Sequence, residues 1–129
     1  MRIKRRSIFL AAIAALAVCI AVITVSVFLP KNKFENDSMV VTWQEGIGKP
    51  LVVEGIVLSQ GMPVVGRTID IETGSGGNPV STGVDGTFSV NAGELELVAL
   101  KVDGAGRVDW GLFGGPSLRD GVRFRIELK

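Results

Sequence analysis

Residues 8–29 read IFLAAIAALAVCIAVITVSVFL, a run of 22 residues without a charge. As a helix rising about 1.5 Å per residue, the run extends roughly 33 Å, enough for a hydrocarbon core of about 30 Å. It reads as a transmembrane helix and divides the chain. Residues 1–6 form a basic tag, 7–30 the span, 31–38 a tether and 39–129 a glycine-rich domain. Arg2, Lys4, Arg5 and Arg6 precede the run with no acid, whereas Lys31 and Lys33 after it are offset by Glu35 and Asp37. Such asymmetry places the N-terminus in the cytoplasm and residues 39–129 on the periplasmic, extracytoplasmic side of an inner membrane.

Two other N-terminal signals share these features. A cleaved signal peptide has a shorter apolar region, of about 7 to 15 residues, closed by small residues. Here the run is longer and ends in Val25-Ser26-Val27-Phe28-Leu29-Pro30, bulky where cleavage needs small side chains. Leu16-Ala17-Val18-Cys19 approaches the lipobox of lipoproteins, but Val18 departs from it and ten apolar residues follow the cysteine. An uncleaved signal anchor fits better, with Cys19 a small apolar residue of the helix. Around that helix Ala14, Ala17, Ala21 and Val25 share one face, opposite Phe9, Ile13, Leu16, Ile20 and Ile23. Small faces let membrane helices approach closely, so these four residues are the candidate contact with another membrane helix; alanine is also simply common in spans.

The tether KNKFENDS is polar, begins after the helix-ending Pro30, and reaches about 25 to 30 Å when fully extended. Asn36-Asp37-Ser38 matches the short N-glycosylation sequon. Beyond it, residues 39–129 hold 8 basic and 11 acidic residues, a net of −3, which gives no electrostatic footprint for nucleic acid. With no histidine and a single cysteine, the chain cannot assemble an imidazole triad, a His/Cys zinc centre, an iron–sulfur site or an internal disulfide. No cofactor is expected.

From residue 39 the pattern changes to short alternating runs between Gly, Pro, Asn and Asp. In residues 51–58, Val53, Gly55 and Val57 share one face; in 67–72, Ile69 and Ile71 alternate with Thr68, Asp70 and Glu72. In 122–128, Val122, Phe124, Ile126 and Leu128 alternate with Arg123, Arg125 and Glu127. Period-two alternation marks half-buried strands. Further strands are expected at 39–43, 87–90 and 94–102, with turns at Gln60-Gly61-Met62-Pro63 and Val84-Asp85-Gly86-Thr87. No helical periodicity follows Pro30. The fold class is therefore all-β, a small antiparallel β-sandwich preceded by one transmembrane helix.

Val53-Glu54-Gly55-Ile56-Val57, Gly61-Met62-Pro63-Val64-Val65-Gly66, Ile69-Asp70-Ile71 and Ser81-Thr82-Gly83-Val84-Asp85-Gly86-Thr87-Phe88 together resemble the carboxypeptidase regulatory-like domain of the transthyretin-like (prealbumin-like) fold. The resemblance covers residues 51–102. It implies a transthyretin-like β-sandwich and no peptidase activity, because the metal-binding catalytic domain of those enzymes is missing. After Gly93 the sequence Glu94-Leu95-Glu96-Leu97 departs from the family, which often has an aromatic residue in that strand. The hydroxyisourate hydrolases of the same fold resemble a His-dependent site with a Tyr-Arg-Gly-Ser terminus, and neither is present.

Residues 104–121 are the least sheet-like part. Arg107, Trp110, Phe113 and Arg119 lie there among glycines, a composition typical of interface anchors; the competing reading, favoured for at least one of the two rings, is that Trp110 and Phe113 fold back to cap one end of the sandwich. Trp43 and Phe34 are suited to the headgroup level of a membrane. Thr73-Gly74-Ser75-Gly76-Gly77-Asn78 lacks the lysine and helix of a phosphate loop and reads as a long flexible loop. Asp70, Glu72, Asp85, Asp103 and Asp109 follow no EF-hand spacing. The functional expectation is a non-enzymatic single-pass accessory subunit. Its partners are the lipid bilayer and integral membrane subunits of a larger complex, for example respiratory or photosynthetic. The alternative is a free membrane-anchored module that binds carbohydrate, peptide or envelope components.

Overall fold

The computed structural model describes residues 32–112 and 114–129. The apolar run, with Ala14, Ala17, Ala21 and Val25, lies outside the described residues, as does Phe113. Among the described residues no helix is long and apolar enough to cross a membrane. All regular structure in Asn32–Lys129 is strand, in two sheets.

The first sheet contains β1 (Lys33–Glu35), β2 (Met39–Glu45), β3 (Val52–Ser59), β4 (Met62–Pro63), β7 (Thr87–Asn91) and β10 (Val122–Leu128). The second runs in the order β6 (Gly76–Ser81), β5 (Thr68–Thr73), β8 (Leu97–Val102), β9 (Gly106–Asp109). Four of the strands occupy ground that the sequence assigns to loops or turns, the two-residue β4 within the turn at residues 60–63 among them. β1 falls within the residues read as tether, and β9 within the glycine-rich 104–121. The Gly74-rich segment is a tight hairpin in which Thr73 pairs with Gly76. Glycines carry no side chain to alternate, so period two is invisible there, and pairing to the well-patterned β5 supplies the order instead.

One strand pair departs from an antiparallel sandwich. β10 lies between β2 and β3, antiparallel to β2 with Phe124 opposite Trp43, and parallel to β3 with Phe124 opposite Gly55. β2 and β3 are consecutive and run in opposite directions, so a strand inserted between them must be parallel to one of the two. Its inner residues Val122, Phe124 and Ile126 are fully buried, while Arg123, Arg125 and Glu127 alternate outward. The remaining core follows the same logic. Met39 and Val41, Val53 and Val57, Ile69 and Ile71, and Leu97, Leu100 and Val102 point between the sheets. A bulge between Glu72 and Thr73 keeps Leu97 facing inward after the alternation slips by one residue.

Turn chemistry is local. Gln60 and Gly61 have φ of 50° and 77°, the type I′ pattern of a two-residue hairpin. Between β6 and β7, Asp85 Oδ1 accepts from Thr87 N at 3.0 Å and Thr87 Oγ1 at 2.6 Å, and Gly86 (φ 76°) closes the turn with its N–H on Gly83 O. This turn carries the chain from one sheet to the other.

Gly55 marks a close approach within the first sheet. A Cβ there would sit 2.6 Å from Phe88 Cζ and 2.7 Å from Phe124 O, closer than carbon contacts allow. The Phe88 ring of β7 thus comes close to the backbone of β3 because β3 has no side chain at that point. Gly55→Ala is expected to lower stability by about 1–3 kcal/mol through overpacking. Gly74→Ala, which meets nothing within 4 Å and has no positive φ, should stay within about 0.5 kcal/mol; urea unfolding of the two variants checks the difference.

Candidate functional site

The end of the sandwich where β3 begins is built from three loops that hydrogen-bond one another. Gly46 N donates to Gly121 O (2.9 Å), Leu51 N to Leu118 O (2.8 Å), and Leu118 N to Leu95 O (2.7 Å). Leu51 adopts a positive φ of 62°, a strained choice for a branched side chain, to make this junction. Leu95 and Leu112 are exposed at this end.

The four loop residues singled out by the sequence do not come together as one cluster. Arg107 is in β9, on the outer face of the second sheet, where its guanidinium pairs with Glu72 at 2.7 Å and Asp109 at 3.3 Å. Arg119 is exposed in the turn before β10, its N–H on Ser117 Oγ. Phe113 lies outside the described residues. Trp110 turns inward: its ring meets Trp43 edge-on at 5.3 Å between centroids and lies 6.1 Å from Phe124. Trp43, itself 6.0 Å from Phe124, completes a three-ring cluster at the mouth of the core. Phe34 likewise packs against the core. Aromatic pairs of this geometry contribute about 0.5–1.5 kcal/mol beyond their buried area.

The sequon asparagine has a structural task. Asn36 Oδ1 accepts from Ser38 N and Met39 N, both at 2.8 Å, and Nδ2 donates to Ala105 O at 3.1 Å. The side chain therefore ties the β1–β2 turn to the β8–β9 turn.

A groove of about 600 Å³ opens between the free edges of the two sheets, lined by Val80 and Ser81 of β6, by Thr87, Phe88 and Ser89 of β7, and by Ile56 on β3. Glu54 and Arg123 border it. Glu54, with only 15% of its side chain exposed, accepts from Lys49 Nζ at 2.8 Å and from Arg123 at 2.6 Å. The hydrogen bonds of Lys49 and then Arg123 hold its carboxyl below the ordinary 4.5. With both cations already paired to it, Glu54 is an outer-face brace between β3 and β10 rather than a free acid. The alternation in β3 marks Glu54 as outward-facing, but its cationic neighbours come from residues far apart in sequence.

A smaller recess of about 330 Å³ on the second sheet is lined by Thr68, Asp70, Pro79, Lys101 and Asp103. Asp70 Oδ1 is buried there without a hydrogen-bond partner, over Gly77. Among the described residues no group of three or more Cys, Asp or Glu side chains is placed to hold a metal ion. Comparisons of the chain with family models, curated proteins and solved structures return no match.

Two outcomes follow from these contacts. Trp110→Ala should cost about 1–3 kcal/mol, less than a fully buried aromatic because one side of the ring is open, and it should alter the tryptophan fluorescence of Trp43, read in the same denaturation curve. Glu54 is depressed in the folded state, so its stabilisation is complete above the unfolded carboxyl pKa of about 4.3 and is lost as pH falls through the lower folded value. Glu54→Gln should therefore lower stability at pH 7 and flatten its fall below pH 4.5; an unchanged acid limb would show that the brace is energetically silent.

Proposed function

We propose that this chain is a single-pass membrane protein that holds a non-catalytic β-sandwich on the extracytoplasmic side, as an accessory subunit of a larger membrane complex. The observation that carries the reading is the 22-residue charge-free run behind four cations and no acid. A segment of that length and flanking charge matches the requirements of a span with a cytoplasmic N-terminus. Two further features support it. Pro30, Lys31 and Asn32 are the only residues between the run and β1, a link suited to a domain that works beside the membrane. Among the described residues Phe34, Trp43, Phe88, Trp110 and Phe124 pack in or against the core, and Glu54 and Glu72 are held in ion pairs, which suits a structural or binding role.

The transthyretin-like, carboxypeptidase regulatory-like assignment belongs to the same proposal. It is supported by the Gly55 strand, the Gly61 turn and the Asp85-Gly86 turn that delivers Phe88 to the core. The helix face of Ala14, Ala17, Ala21 and Val25 is assigned to contact with a partner helix. Arg119, exposed at the loop-rich end, is assigned to contact with the partner's extracytoplasmic surface, and so, from the sequence alone, is Phe113.

Purification of the full chain in mild detergent followed by mass spectrometry tests the proposal. Stable recovery of integral membrane subunits is expected, and replacing Ala14, Ala17 and Ala21 by Leu should reduce it severalfold without unfolding the sandwich. A chain that extracts from membranes at alkaline pH, or that begins beyond Leu29 when mature, would overturn the anchor. Recovery alone, with no co-purifying subunit, would overturn the accessory role in favour of a free anchored binding module.

A further inference from the structure

We infer that the free edge of β7 is a strand-addition site, which binds an extended polypeptide segment through the backbone groups of Ser89 and Asn91. The inference rests on the sheet edge and goes beyond the membrane reading; neither depends on the other.

Every sheet that does not close has strand edges with unpaired N–H and C=O groups, and proteins usually blunt them with charge, proline or brevity. Four of the edge strands here are blunted, and β4 is only two residues long and includes Pro63. β1 is three residues long and carries Lys33 and Glu35. β6 is an edge whose bonding phase is fixed by Thr82 N on Arg67 O. By antiparallel alternation, Val80, Asn78 and Gly76 bond to β5, and Gly77, Pro79 and Ser81 face out. Pro79 thus stands where an outward N–H would be, and removes it. On β9, Trp110 N on Val98 O fixes the phase, so Arg107 and Asp109 face out, and both are charged.

β7 has none of these devices. Ala92 N donates to Leu51 O and Val57 N to Gly86 O, which makes Val90 and Phe88 the residues bonded to β3. Thr87, Ser89 and Asn91 then face away from it. The backbone of Thr87 is satisfied within the turn, by Asp85 Oδ1 on its N–H and Gly83 N on its carbonyl. Ser89 and Asn91 have no backbone partner among the described residues. Both are exposed and uncharged, and the strand contains no proline.

The chemistry of the occupant follows from this spacing. N–H and C=O groups offered on every second residue, about 7 Å apart, are matched by another extended backbone. The groove beside the edge gives room for its side chains, and Val80 and Phe88 make its inner wall apolar. An added strand would therefore place alternate apolar side chains toward Val80 and Phe88 and polar ones toward solvent.

The test uses the full chain in detergent micelles and, as probe, a capped peptide of alternating threonine and valine with a lysine at each end. Saturable binding is expected, with slowed amide exchange at Ser89 and Asn91 and none at Arg107 or Asp109. Ser89→Pro removes an outward N–H without touching the ladder to β3, and should weaken binding about tenfold or more. The same peptide N-methylated on alternate residues should not bind, which keeps the proposal testable if Ser89→Pro does not fold. Absence of saturable binding, protection at β9 instead, or wild-type affinity in a folded Ser89→Pro chain would overturn it. Concentration-dependent protection of Ser89 and Asn91 without peptide would overturn it in favour of pairing between copies of this chain.

Discussion

The insertion of β10 between β2 and β3 is the constraint on which the sandwich depends. β10 alternates cleanly, and in its place between β2 and β3 Val122, Phe124 and Ile126 are buried while Arg123, Arg125 and Glu127 face water. That position holds β2 and β3 apart and makes one pair parallel. It also puts Phe124 beside Trp43 on one side and Gly55 on the other. From the first contact grows the Trp43–Trp110–Phe124 cluster, from the second the close approach of Phe88. β10 meets β2 and β3 across long sequence separations, so most of the pairing in the first sheet is non-local.

The two outer faces and the edges are managed by different means. On the outer face of the first sheet, Lys49, Glu54 and Arg123 bridge neighbouring elements; on the second, Glu72, Arg107 and Asp109 do so. Exposed ion pairs of this kind contribute little each, about 0–1 kcal/mol, but they keep both faces soluble. The edges carry proline, charge or brevity except at β7. Among the described edge strands β7 alone carries none of these devices, and it lies beside a groove.

Much of the fold was legible in the sequence where side chains alternate. β3, β5 and β10 lie within one residue of the runs at 51–58, 67–72 and 122–128, and the inward set Val53, Gly55 and Val57 is the buried one. The glycine-rich stretches were not legible, since β6 and β9 draw their order from neighbours rather than from their own pattern. The loop residues show the same limit. Arg107, Trp110 and Arg119 look like one group because they are close in sequence, yet the strand β9 and the inward turn of Trp110 send them to a sheet face, a core and a loop tip.

By itself the sequence determined the class and periodicity of the domain, the charge asymmetry around residues 8–29, and the absence of histidine and of paired cysteines. Each is a property of residue type or of local spacing. The tertiary structure decided the strand order, the parallel pair, the inward turn of Trp110 and the open edge at Ser89 and Asn91. These depend on which strands meet across long separations, and an edge exists only when no other strand has taken the place beside it.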